Sequence, residues 1–228
     1  MKINFLTLFP KYFEPFKNES IINKAIQKNL LEVNVIDFRE FSKDKHRKVD
    51  DEIYGGGHGL LLQIEPIDLA LNSLNDNGGY KILVSPQGKI FNQQIANELA
   101  NKEQITLISG RYEGFDERIV QLVDLELSIG DFVLTGGELP SMVIADSIAR
   151  LVPGVIKSQS HINDSFQGMG LLDYPQYTRP REYKGMKVPE VLLNGNHKEI
   201  EIWKRESQLL KTKKNRPDII ERIKNNEK

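Results

Sequence analysis

Three loops carry the residues of this chain best suited to building a ligand site. They are Ser85-Pro86-Gln87-Gly88, Ser109-Gly110-Arg111-Tyr112-Glu113-Gly114 and Ser128-Ile129-Gly130-Asp131-Phe132-Val133-Leu134-Thr135-Gly136-Gly137-Glu138-Leu139-Pro140. Glycine admits backbone conformations that a side chain forbids and lets a ligand lie against bare main chain. An isolated Gly-Gly is more often a tight structural turn than a site, but these loops come as a set. The first two follow Lys81-Ile82-Leu83-Val84 and Ile105-Thr106-Leu107-Ile108, which read as short buried strands. The third begins as a strand and closes at Pro140, a residue that suits the first turn of a helix, where its missing N–H costs nothing. Strands that end in glycine-bearing loops and lead into helices put ligand sites at the carboxyl edge of an α/β sheet. The pattern therefore points to a composite pocket in which a ligand meets bare backbone.

Other polar residues give weaker signals. Gly55-Gly56-Gly57-His58-Gly59 looks like a phosphate loop but lacks the Lys-Ser/Thr ending and joins no strand to a capped helix, so it reads as a turn whose bare backbone faces a substrate. His46, His58, His161 and His197 have no ligand spacing, which argues against zinc. Glu113 is a lone carboxylate within its loop, and no firm metal site follows from it. Arg150 ends the helix that begins at Pro140, where a cation complements the helix dipole by ~0.3–1 kcal/mol. Asp164 stands directly before Ser165, a position from which aspartate commonly caps a segment. From the residues alone, both keep a structural reading beside a catalytic one.

The elements that must hold these loops alternate. Ile3 to Leu8 and Leu31 to Ile36 read as strands around an amphipathic helix, Glu14 to Asn29, with Phe16, Ile21, Ile22, Ala25 and Ile26 inward. Helices are expected over Asn92 to Leu99, Asp116 to Val123 and Pro140 to Leu151, giving a mostly parallel sheet covered by helices. After Pro153-Gly154 the pattern breaks. Lys157 to Asp164 is polar and reads as a mobile linker, followed by helical segments from about His197 to Lys211 and Pro217 to Asn225. These are too short to fold independently and read as a small helical domain that leans on a partner.

The 228 residues suffice for one good-sized domain or a domain and a half, and 39% hydrophobic residues support a real core. There is no apolar run long enough for a membrane span, and the amino terminus lacks the features of a secretory signal. With zero cysteines, disulfides, thiolate ligands and a cysteine nucleophile are excluded. A cytoplasmic protein is expected. The net charge of −1 hides two basic clusters: Arg39, Lys43, Lys45, His46, Arg47 and Lys48, and a second running from Lys204 to Lys224. Either is ordinary as a solvated face, but beside a substrate pocket such patches bind phosphates.

In order and spacing, the three loops resemble the cofactor loops of bacterial tRNA (guanine-N1)-methyltransferases of the SPOUT class. The likeness extends to Lys48-Val49-Asp50-Asp51, Tyr54-Gly55-Gly56-Gly57, Asp164-Ser165-Phe166, Tyr177-Thr178-Arg179-Pro180 and Val191-Leu192-Leu193-Asn194-Gly195-Asn196-His197. Phe132 stands where the family often has tyrosine. The resemblance implies an α/β fold, a mostly parallel sheet with helices on both faces threaded through a deep trefoil knot, and a small α-helical C-terminal domain. It implies a SPOUT domain over 1–156, a flexible linker over 157–165 and a tRNA-binding domain over 166–228. It also implies a homodimer whose active site is shared between subunits.

The activity implied is methylation of N1 of the guanosine at tRNA position 37, in tRNAs with guanosines at 36 and 37. Carried over residue by residue, Asp164 becomes the general base and Arg150 the stabiliser of charge on O6. S-Adenosylmethionine would contact Val84, Ser85, Pro86, Gly88, Gly110, Tyr112, Glu113, Ile129, Gly130, Asp131, Phe132, Val133, Leu134, Gly136, Gly137 and Pro140. His46, Arg47, Asp50, Gly59 and Ser165 would meet the tRNA, and Glu113 is the candidate for Mg²⁺. Three readings compete: a SPOUT enzyme acting on another RNA nucleoside, an RNA-binding module without chemistry, and a Rossmann-type methyltransferase or dehydrogenase. The last would carry its glycine fingerprint after the first strand, where this chain has Phe9-Pro10-Lys11-Tyr12-Phe13.

Overall fold

The apolar runs of the first two thirds of the chain pair into one sheet. The computed structural model describes residues 1–157 and 164–226, and packing divides the chain into two units, Met1–Lys157 and Ser158–Lys228. The first unit runs β1 (Lys2–Thr7), α1 (Glu14–Asn18), α2 (Ser20–Gln27), β2 (Glu32–Asp37), β3 (Asp50–Glu52), β4 (Leu60–Leu62) and α3 (Ile64–Asn72). It continues through β5 (Tyr80–Ile90), α4 (Gln93–Leu99), β6 (Gln104–Ser109), β7 (Leu125–Ser128) and α5 (Glu138–Ala149). Five strands form a sheet in the order β2-β1-β6-β5-β7, with every pair parallel. β3 and β4 make a separate antiparallel hairpin.

A parallel sheet covered on both faces reads as continuous apolar runs rather than as alternation, and the side chains divide accordingly. Ile3, Phe5, Ile82, Val84, Ile105 and Leu107 join residues of α2, α4 and α5 in one buried cluster. Leu6, Leu83 and Ile108 join Ile67, Ala70 and Leu71 of α3 in the other. Each fully buried aliphatic side chain contributes ~1.5–3 kcal/mol relative to exposure. Helices thus cover both faces, and the strand ends that carry the loops are fixed by the core.

Three local expectations are corrected. The single helix over Glu14 to Asn29 is two helices, because Glu19 is extended (φ −117°, ψ 153°) and Ser20 has φ 53°. The break resets the helical phase: Ile22 and Ala25 are buried, whereas Ile21, expected inward, is 46% exposed. The segment expected as a helix over Asp116 to Val123 is a 3₁₀ turn, Glu117–Leu122, in which the Asp116 side chain accepts from the Arg118 N–H at 2.9 Å. Only Ile119 of this turn is buried, too little apolar surface to hold an α-helix against the sheet. Finally, Ser85-Pro86-Gln87-Gly88 is a bulge within β5: Leu127 of β7 pairs first with Val84 and then with Lys89.

The second unit holds a short hairpin, β8 (Glu182–Tyr183) and β9 (Met186–Lys187), and two helices, α6 (His197–Asn215) and α7 (Pro217–Asn226). The hairpin has no counterpart in the sequence reading. The Asn196 side chain caps α6 by accepting from the Glu199 N–H, and Pro217 opens α7, where its missing donor is harmless. The linker expectation for Lys157 to Asp164 falls mostly on residues 158–163, outside the described residues. Among the described residues no helix is long and apolar enough to cross a membrane.

Candidate active site

Strands β5, β6 and β7 are neighbours, and the bulge in β5 stands level with the ends of β6 and β7. Val84 pairs with Ser109 on one side and with Leu127 on the other, so the three glycine-bearing segments emerge side by side at the carboxyl edge. They enclose a cavity of about 330 Å³. Of the sixteen cofactor residues expected from the sequence, all but Gly88 and Asp131 line it. Gly88 is needed for packing instead: a Cβ there would overlap the Leu127 backbone N and the Glu126 carbonyl. At the rim, Tyr112, Phe132, Val133 and Leu134 are exposed apolar side chains, an unusual concentration on a surface loop.

The remaining glycines explain how the loops fit together. Gly137 donates its N–H to the Gly110 carbonyl at 2.9 Å, and a Cβ on Gly137 would lie 2.7 Å from Gly110 N and 2.8 Å from Ser109 Cα. A Cβ on Gly110 would sit 2.6 Å from the Phe115 ring, and one on Gly136 would overlap the Arg111 guanidinium. Gly130 has φ 145°, and Ser128 Oγ both accepts from its N–H at 3.2 Å and donates to its carbonyl at 3.1 Å. The pocket walls are therefore backbone held at separations that only glycine allows.

A second element joins this edge. The segment Glu113 to Asp116 adds to the β3–β4 hairpin as a further parallel strand, through Glu113 N–H to Leu60 O at 3.1 Å, Leu62 N–H to Gly114 O at 2.9 Å and Asp116 N–H to Leu62 O at 2.9 Å. The hairpin carries Asp50 at its start and the glycine turn at its tip, where Tyr54 is fully exposed and Gly55, Gly56 and Gly59 have φ of 82–88°. The Glu113 side chain lies across Gly59 so closely that a Cβ would displace it. Asp50, Gly59 and Glu113 thus belong to one hydrogen-bonded unit. His46 and Arg47 stand in an exposed turn just before it, organised by Asp44, whose carboxylate accepts from the His46 N–H at 2.7 Å and the Lys48 N–H at 3.2 Å. Those two donors, Lys48 first, hold the Asp44 carboxyl below its ordinary range.

Arg150 is exposed at the C-terminal cap of α5 and does not line the cavity. Asp164 and Ser165 belong to the C-terminal unit. There, Ser165 Oγ accepts from the Asp173 N–H at 2.9 Å, and Leu172 N–H donates to Thr212 Oγ of α6 at 3.0 Å, so the Asp164-Ser165-Phe166 segment is tied to the helix. Asp164 lines a second cavity of about 310 Å³ with Met169, Tyr174, Lys204 and Arg205. Among the described residues no group of three or more histidine, aspartate or glutamate side chains is arranged to hold a metal ion. Nor does a glycine loop follow β1, which runs into a Pro10–Phe13 3₁₀ turn.

The sequence reading missed Arg111, Gln87, Glu126 and the apolar floor of Ile119 and Leu127, all of which line the first cavity. The floor residues look like ordinary core. Arg111 lies inside a recognised loop, and its partner Glu138 is far off in sequence. Burial works against the Arg111 charge, but Tyr12 and Glu138 outweigh it and hold the guanidinium pKa above its usual value.

The chain matches the family described as tRNA (Guanine-1)-methyltransferase TrmD over residues 1–222. It is similar to the tRNA (guanine-N(1)-)-methyltransferase of Mycoplasmopsis synoviae (strain 53), at 78% identity over 225 residues, covering 99% of each chain. Its likeness to the protein of the same name from Mycoplasmopsis agalactiae is 72% over 228 residues, covering 100% of both. The corresponding protein of Fusobacterium nucleatum is 56% identical over 222 residues, covering 97% of this chain and 92% of that one.

Proposed function

Because the chain belongs to the tRNA (Guanine-1)-methyltransferase TrmD family, we propose that it transfers a methyl group from S-adenosylmethionine to N1 of the guanosine at tRNA position 37. The observation that carries the reading is the convergence of three glycine-bearing segments on one cavity of about 330 Å³ at the carboxyl edge of the sheet. The residues fit the cofactor: Gly110, Gly136 and Gly137 leave no space for a Cβ, so the walls offer main-chain groups, and the rim offers apolar side chains for a flat base. When bound, S-adenosylmethionine supplies an electrophilic methyl on a permanently positive sulfonium.

The chain's own residues then have two tasks. Guanine N1 carries a proton at neutral pH, and the Asp164 carboxylate takes it. As it leaves, charge shifts to O6, and Arg150 offsets that charge with a guanidinium whose geometry suits the guanine edge. Asp50 and Gly59 read the preceding guanosine, with His46, Arg47 and Ser165 also meeting the tRNA. The hairpin that carries Asp50 and Gly59 bonds the Glu113 segment through Leu60 and Leu62, which couples that reading to the cofactor loop. Glu113 alone is a thin site for Mg²⁺, which takes one or two carboxylates plus waters or phosphates, and no step is assigned to the ion.

The reading includes a deep trefoil knot and a SPOUT domain over 1–156, a linker over 157–165 and a tRNA-binding domain over 166–228. It also includes a cytoplasmic homodimer in which cofactor loops of one subunit serve with Asp164 of the other. The test is Asp164→Ala. It should bind S-adenosylmethionine as the wild type does and lose ~10²–10⁴ of its turnover on tRNA, the contribution of a general base. Turnover within about threefold of wild type would reduce Asp164 to a cap.

A further inference from the structure

We infer that Arg111 and Glu138 are positioning residues for the cofactor pocket, acting as a clasp, buried at its Glu138 end, that sets the spacing of its loops. The inference rests on the S-adenosylmethionine reading above. Glu138 is the first residue of α5 and is fully buried. A buried carboxylate is costly unless its oxygens are engaged; here Oε1 is hydrogen-bonded, while Oε2 is held by ion pairing alone. Oε1 accepts from Thr7 Oγ1 at 2.8 Å, and Thr7 Oγ1 in turn accepts from the Phe9 N–H at 2.9 Å. Oε2 lies 2.9 Å from Arg111 Nη2.

Arg111 uses its other arm on the opposite loop, with Nη1 donating to the Thr135 carbonyl at 3.0 Å. Its guanidinium sits 4.5 Å from the Phe9 ring centroid and 5.2 Å from that of Tyr12, and it lies against Gly136, where a Cβ would overlap it. One ion pair therefore joins four pieces of chain: the end of β1, the Gly110–Gly114 loop, the Thr135–Gly137 turn and the first turn of α5. Gly110 and Tyr112 flank Arg111, Leu134 and Gly136 flank Thr135, and all four line the cavity.

Stability alone gives little reason for such a pair, because well-packed apolar residues of equal volume commonly hold a fold as well or better. What an apolar pair cannot supply is direction. The planar guanidinium donates to the Thr135 carbonyl while it ion-pairs with Glu138, which sets the spacing of two loops that the cofactor reads.

The experiment measures S-adenosylmethionine affinity by calorimetry, and KM and kcat in tRNA methylation, for Arg111→Lys and Glu138→Gln in the full-length enzyme. Lysine keeps a charge beside Glu138 but cannot also reach Thr135, so Arg111→Lys retains the fold if Glu138→Gln does not. We expect each folded variant to bind the cofactor about tenfold or more weakly, with KM rising in parallel and kcat at saturating cofactor falling by no more than about threefold. The Arg111→Lys, Glu138→Gln double variant should lose less affinity than the two single changes add up to, as expected for groups that act as one unit. If Arg111→Lys lowers the melting temperature but leaves the affinity within about twofold of wild type, the clasp serves stability only and the inference is wrong. A collapse of kcat with KM unchanged would also overturn it. A wild-type enzyme that binds no S-adenosylmethionine would instead sink the cofactor reading.

Discussion

Replacing Gly137 with alanine should open the cofactor pocket without unfolding the domain. Gly137 has φ −83° and ψ −4°, which alanine adopts without strain, so the effect is purely steric. The new Cβ would meet Gly110 N at 2.7 Å and Ser109 Cα at 2.8 Å. These are backbone atoms at the end of a buried strand, with no rotamer through which to escape. Relief to ordinary contact at 3.4 Å requires the two loops to part by about 0.7 Å. That shift stretches the 2.9 Å bond from Gly137 N–H to Gly110 O beyond useful length. Overpacking of this kind costs ~1–3 kcal/mol and the lost bond ~0.5–1.5 kcal/mol. Since ~1.4 kcal/mol is a factor of ten, a bound ligand that needs the closed spacing should weaken by ~10- to 1,000-fold. Calorimetry with S-adenosylmethionine, on protein shown to be folded by circular dichroism, reads this directly. Affinity within about twofold of wild type in a folded variant would refute the claim that loop spacing sets cofactor binding.

A mixture of Gly136→Val, which fills the space of the Arg111 guanidinium, and Asp164→Ala should regain methylation once subunits exchange, because a shared site then combines intact loops with an intact base. Confirmed exchange with no activity would mean that each site is built within one chain. The Arg118 guanidinium holds the Asp116 carboxyl below its ordinary 3.8. The stabilisation is therefore fully present above that value and is lost as pH falls through the lower folded one. Asp116→Asn should melt earlier than wild type at neutral pH, with the gap closing below about pH 3.8. A gap unchanged across that range would show that the ion pair is not its source.

How much of this the sequence revealed follows from the range of the interactions. The strand runs through Ile82-Leu83-Val84 and Ile105 to Ile108 were legible because both faces of each are buried, and the loops were legible because their glycines are local. The break at Glu19 and Ser20 was not, since apolar residues on either side continue a helical rhythm across it. The 3₁₀ turn at Glu117–Leu122 was read as a helix because its register depends on the Asp116 cap and on pairing with β4, neither of which leaves a period. The addition of Glu113 to Asp116 to the hairpin, and the Arg111–Glu138 clasp, join residues distant in sequence and carry no local pattern. Asp164 and Arg150 were nameable only through resemblance, because a capping aspartate and a helix-ending arginine look the same whether or not a guanine passes between them.

The most direct measurement maps the product. A tRNA transcript with guanosines at 36 and 37 is incubated with the enzyme and S-adenosylmethionine, digested, and its nucleosides are located by mass spectrometry, alongside a transcript with adenosine at 37. The account predicts one methyl group, on N1 of guanosine 37, and none on the adenosine transcript. Methylation at another nucleotide, at another atom of guanosine 37, or equally on both transcripts would contradict it.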